Sequence, residues 1–155
     1  MAKFLDKSGR EWLVELDVLK VEEIEQDHGV RLTNLERDPL LSCRNDPAVL
    51  ASMVLVICRE QREAEGLTRE QFIRLMPQPP DAMLQAMAEA IVAFFPSGRH
   101  LHVREVLTQM EAMAMKTDEI AVEKLSVILT DKNVLTKLKS KADQVFAEEL
   151  ARSLG

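Results

Sequence analysis

Residues 48–58 read AVLASMVLVIC, with one hydroxyl, Ser52, and no charge. As a helix this run is apolar nearly all round, so its first three turns have no face to give to water. The rest of the chain must therefore wrap it, and a central buried helix follows. The run is far short of the roughly 20 residues that span a bilayer. With 155 residues, 46% hydrophobic and 30% charged, the chain has the length and composition of one globular core.

Local signals on both sides mark the wrapping elements. Asp46-Pro47 places a capping carboxylate before a proline suited to the first helical position, and Gly66 follows the last periodic residue, predicting a helix over 47–65. Its last two turns are charged and are expected to protrude. Asp38-Pro39 repeats the start signal. Thr68-Arg69-Glu70-Gln71 is a capping box, opening a short helix whose expected apolar contacts are Phe72, Ile73 and Leu75. Pro77, Pro79 and Pro80 stop it. The next helix is expected over 81–95, with Leu84, Met87, Ala88, Ile91 and Phe94 near helical spacing. Ile57 and Phe94 are assigned to the core.

Before the central helix, Phe4-Leu5 and residues 12–16 flank Asp6-Lys7-Ser8-Gly9, the pattern of a β-hairpin. Trp12, Val14 and Leu16 should share its buried face. Asp17 caps a helix through about His28, with Gly29 as its stop. Val30-Arg31-Leu32 fits a third short extended segment. After the central elements, Pro96-Ser97-Gly98 is the clearest boundary and divides the chain into 1–98 and 99–155. Residues 101–129 contain no Gly or Pro. There Val103, Val106, Met110, Met113, Ile120 and Ile128 approximate one stripe. Thr130-Asp131 can open a further segment in which Leu135, Leu138, Ala142, Val145 and Phe146 form another. The fold class is mainly helical α+β: a small N-terminal antiparallel hairpin or sheet packed on a helical core, with a C-terminal helical extension.

No residue pattern names a reaction. His100 and His102 point apart on a helix and have no further ligand at a metal-binding spacing. Cys58 closes an apolar helix, which suits a buried thiol better than a nucleophile, and no motif adjoins Cys43. Two cysteines make no disulfide framework, and both are read as reduced thiols of a cytosolic protein. Asp6, Lys7 and Arg10 interrupt any leader-like apolar run. Glu22, Glu23, Glu25 and Asp27 are expected as a solvated helix face. Gly9, Gly29, Gly66 and Gly98 punctuate element ends and form no phosphate loop. A net charge of −6 opposes nucleic-acid binding, and Lys132, Lys137, Lys139 and Lys141 lack the interleaved aromatics such binding uses. The expectation is a protein with no enzymatic activity, cofactor, metal, nucleic acid or membrane partner.

Residues from Gly9 to Arg99 resemble a family of small proteins from the tail-gene clusters of tailed bacteriophages and prophages, the tail assembly chaperones. The matching positions are Gly9 with Trp12, Gly29-Val30 with Leu32, Asp46-Pro47, and Cys58 with Gln61. Gly66-Leu67-Thr68 with Phe72 and Phe94-Phe95-Pro96 complete the set. The resemblance implies a protein of the bacterial host cytoplasm that binds the helical tape measure protein, keeps it soluble and helps recruit tail tube protein. The alternative within the same setting is a structural tail completion or head–tail connector protein, joining a ring through the hairpin edge.

The C-terminal third carries the expected partner surface: Val106, Met110, Met113, Leu135, Leu138, Val145 and Phe146. Methionines fill cores, and their flexible thioethers also suit surfaces that accept varied apolar partners. The stripes lie beyond the boundary, and the earlier helices suffice for a core. A client helix or a homo-oligomer is the expected occupant.

Overall fold

The computed structural model describes residues 1–130 and 132–154, and of residues 128–130 and 132–135 only the backbone. The chain divides into two compact units, Met1–Glu111 and Ala112–Gly155.

The first unit begins with strands β1 (Lys3–Leu5) and β2 (Glu11–Leu13), paired antiparallel with Phe4 opposite Trp12. Each strand buries its middle residue, so Phe4 and Trp12 share the inner face. The turn is organised by Asp6. One carboxylate oxygen accepts from the Ser8 N–H at 2.8 Å, the Ser8 hydroxyl at 2.6 Å and the Arg10 N–H at 3.0 Å. The other accepts from the Trp12 indole at 2.9 Å. Gly9 supplies the positive φ, 81°, that the turn needs.

Helix α1 (Val18–His28) has the predicted ends: the Asp17 side chain accepts from the Lys20 N–H, and Gly29 closes it at φ 65°. Val21 and Ile24 face inward. Helix α3 (Pro47–Ile57) is capped by Asp46 and buries Leu50, Met53, Val54, Val56 and Ile57. Around it stand α1, the short α2 (Leu41–Asn45) and α6 (Asp81–Phe94). Helix α5 (Arg69–Leu75) carries the predicted capping box of Thr68 and Gln71. Phe72, from α5, meets the Trp12 ring edge-on at a centroid distance of 4.5 Å.

Several expectations are corrected. The helix over 47–65 is two helices, α3 and α4 (Arg59–Ala64). Cys58 leaves helical geometry at φ −91°, ψ 11°, and its thiol approaches the Leu13 carbonyl at 3.5 Å. One turn later the Gln61 side chain works as a strand would. Its oxygen accepts from the Leu13 N–H at 3.1 Å, and its nitrogen donates to the Glu11 carbonyl at 2.8 Å. Residues 30–32 form no strand: Val30 and Leu32 are buried, but the Asn34 N–H closes a turn onto the Arg31 carbonyl at 3.1 Å. Asp38 caps no helix; it folds onto the Leu40 N–H at 3.0 Å and pairs with Arg44. Ile73 points outward. Phe94 is half-buried against Phe95 and lies outside the core, because α6 buries the adjacent stripe of Met83, Ala86, Met87, Ala90 and Ile91.

The division of the chain also falls later than Gly98. Helix α7 (His100–Thr130) begins in the first unit, where Val103 and Leu107 are buried within the hydrophobic core. The second unit starts at Ala112 within the same helix and ends with α8 (Lys132–Leu154).

Candidate functional site

Six titratable side chains of the first unit, Glu23, Asp27, His28, Arg59, Arg62 and Arg69, line one cleft of about 400 Å³ beside α1 and α3, and Arg31, Glu36, Arg37 and Asp38 line another of about 560 Å³. Three of the six in the first cleft, Glu23, Arg59 and Arg62, are already engaged. Arg59 is paired with Glu23, which holds the guanidinium pKa above its ordinary value. Arg62 donates to the Leu67 carbonyl at 2.9 Å and reaches Glu63 at 3.2 Å. Ser52 is the only hydroxyl on the lining of the first cleft, and neither cysteine lies on it.

The cysteines lie in the core. Burial pushes the Cys43 thiol up to about 11 and the Cys58 thiol up to about 12, the reverse of what a thiolate nucleophile requires. Cys43 contacts the Met53 sulfur at 3.3 Å. His100 is tied to the Phe95 carbonyl at 2.6 Å, while His102 is exposed. Among the described residues no three His, Cys, Asp or Glu side chains gather as metal ligands. Among them, too, no helix is long and apolar enough to cross a membrane.

The hairpin edge is partly covered. Gln61 already binds the outward N–H of Leu13 and carbonyl of Glu11, the groups that an added strand would take on the β2 side.

The remaining candidate is apolar surface on the last two helices. From Ala112 onward no described side chain is buried. On α8, Leu138, Lys141, Ala142, Val145, Phe146 and Glu149 border a shallow recess of about 680 Å³. Their spacing of three and four residues puts them on one helix face. Phe146 is 70% exposed, and Leu138 and Val145 are more than half exposed. The other predicted positions are distributed differently. Met113 is exposed at the start of the second unit, whereas Val106 and Met110 are half-buried in the first. The Leu135 side chain lies outside the described residues.

A second recess, of about 510 Å³, lies on α7 between Asp118 and Val127 and includes Val122. Val122, Leu125 and Val127, all exposed, are out of phase with the predicted stripe of Met113 and Ile120 and lie outside the expected surface. The signal was present: apolar residues at 120, 122, 125 and 127 are too many for one narrow face.

No protein family, curated protein or solved structure matches this chain.

Proposed function

We propose that this chain is a non-enzymatic assembly chaperone whose last two helices bind an amphipathic helix of a client. The observation that carries this reading is the exposed face of α8 formed by Leu138, Ala142, Val145 and Phe146, while the first unit closes a core of its own. Each Leu, Val or Phe that a client covers contributes about 1.5–3 kcal/mol. A handful of such anchors suffices for specific binding and still permits release. The resemblance carried by Gly9, Trp12, Cys58, Gln61, Phe72 and Phe94-Phe95-Pro96 supplies the client: the tape measure protein of a tailed phage, with tail tube protein as the next component recruited. Two of those residues have structural work that suits a family signature, since Trp12 anchors the turn through Asp6 and Gln61 closes the sheet edge.

The test is co-expression with a tape measure protein in a bacterial host. The intact chain should keep the client in the soluble fraction and co-purify with it. Leu138→Glu with Phe146→Glu should lose the client while the chain itself stays folded by circular dichroism. A client equally soluble with the double variant would remove α8 from the binding surface.

A further inference from the structure

Helix α8 carries an apolar face with opposite charges at its two ends. Lys132, Lys137, Lys139 and Lys141 lie before its midpoint, Asp143 at it, and Glu148 and Glu149 after it. The only cation after Asp143 is Arg152, beyond the apolar recess. The lining of the recess shows the same polarity: it begins at Leu138, its cation is Lys141 and its anion is Glu149, at the far end, with Val145 midway between these two charges. Such a face complements itself only in one orientation. A parallel copy sets lysine against lysine and glutamate against glutamate. An antiparallel copy, related by a two-fold axis through Val145, sets Lys141 of each chain beside Glu149 of the other. The axis also brings Leu138, Ala142 and Phe146 of both chains onto the covered side.

We propose that α8 pairs antiparallel with α8 of a second copy of this chain, the two Lys141–Glu149 contacts fixing the orientation around an apolar centre at Val145. This goes beyond the chaperone reading and does not rest on it, because the pairing requires no client. The contact is isologous, so it closes at two copies and builds no filament. Helix α8, with 23 residues, is about 35 Å long, and one such helix pair is a small interface. The dimer is therefore weak and exchanges readily, with a dissociation constant of about 10 μM. The same face serves copy and client in turn: self-pairing covers Phe146 until a client helix displaces it.

Sedimentation equilibrium of the full chain tests this. A monomer–dimer equilibrium in the micromolar range is expected. Lys141→Glu alone and Glu149→Lys alone should each weaken the dimer about tenfold, since two contacts are reversed at once. The two together should restore it to within about threefold. Oxidation of Val145→Cys should cross-link copies through the axis, while Lys141→Cys should not cross-link to itself. The native Cys43 and Cys58 are buried and do not compete. A chain that stays monomeric at about 200 μM would overturn the proposal. So would single reversals without effect, a double reversal that fails to rescue, or efficient cross-linking of Lys141→Cys, which indicates a parallel pair. Loss of client binding with the dimer intact would count against the chaperone reading alone.

Discussion

Four helical methionines have opposite fates in the two units of this chain. Met53 and Met87 are fully buried in the first, at 0% exposure, whereas Met113 and Met115 in the second are 67% and 63% exposed. Residue type does not separate the two pairs, and all four lie on helices. What differs is the traffic of the chain around them. The helices of Met53 and Met87, α3 and α6, belong to a unit in which α1 and α2 pack on α3 and strand β1 packs on α6. No described residue after Ala112 finds such cover. An apolar stripe thus encodes a demand for a partner surface, and only the topology decides whether the same unit meets it. The division of labour that follows is testable: stability should reside in the first unit, and association in the second.

The largest effect should come from cutting the chain on either side of the division. A chain ending at Gly98 loses Val103 and Leu107, two buried side chains worth about 1.5–3 kcal/mol each, so about 3–6 kcal/mol in all. That approaches the whole stability of a small domain. A chain ending at Glu111 keeps both and should unfold in urea within about 1 kcal/mol of the intact protein. Equal stability for the two shortened chains would erase the boundary drawn by these two side chains.

A smaller effect tests what holds the first unit's hairpin. Burial raises the pKa of Asp6, but the hydrogen bonds from Ser8, Trp12 and Arg10 outweigh it and hold the carboxyl below its ordinary 3.8. The unfolded chain therefore binds a proton at Asp6 more readily than the folded one. The stabilisation is complete above the ordinary value and is lost as the pH falls through the depressed folded value. Asp6→Asn should cost about 2 kcal/mol at neutral pH, the scale of a charge-assisted hydrogen-bond set partly kept by the amide. The gap between the two proteins in urea unfolding should then narrow as the solution is made more acid than pH 3.8. A gap that stays constant would mean that the ionisation of Asp6 contributes nothing and that the loss comes from hydrogen bonds the amide cannot make at any pH.

These residues also show what the sequence could disclose. The ends of α1 were legible because Asp17 and Gly29 act within one turn of their own positions, as were the Asp46 cap and the Thr68–Gln71 box. The break at Cys58 was not, because what surrounds it lies 45 residues away: the Cys58 thiol meets the Leu13 carbonyl, and from α4 the Gln61 side chain binds the edge of β2. Residues 30–32 carried a strand's alternation without a strand's partner, since the two-stranded sheet stops at β2 and its edge is met by Gln61. Met87 and Ile91 keep the predicted core place, but Leu84, Ala88 and Phe94 yield theirs to Met83, Ala86 and Ala90 by a small rotation of the α6 face that helical periodicity alone does not fix. The candidate surface was legible as stripes, since Leu138, Val145 and Phe146 do stay exposed. Val103 and Leu107 show that a stripe can begin in a core and end outside it.

The smallest expected effect separates the units most sharply. Met87→Ala and Met115→Ala remove the same atoms from helices. At Met87 the deletion opens a cavity in a closed core and should cost about 2–5 kcal/mol. At Met115, 63% exposed on α7, it opens none, and alanine is the better helix former, so stability should change by less than about 0.5 kcal/mol in either direction. Both are read by urea unfolding at a protein concentration low enough to keep the chain monomeric. A loss of 2 kcal/mol or so at Met115 would mean that this stretch of α7 is packed in solution. The exposed stripe would then be a second core, and only α8 would remain to meet a partner. With stability unchanged, Met115→Ala becomes a clean probe: any loss of client affinity it causes comes from the surface itself.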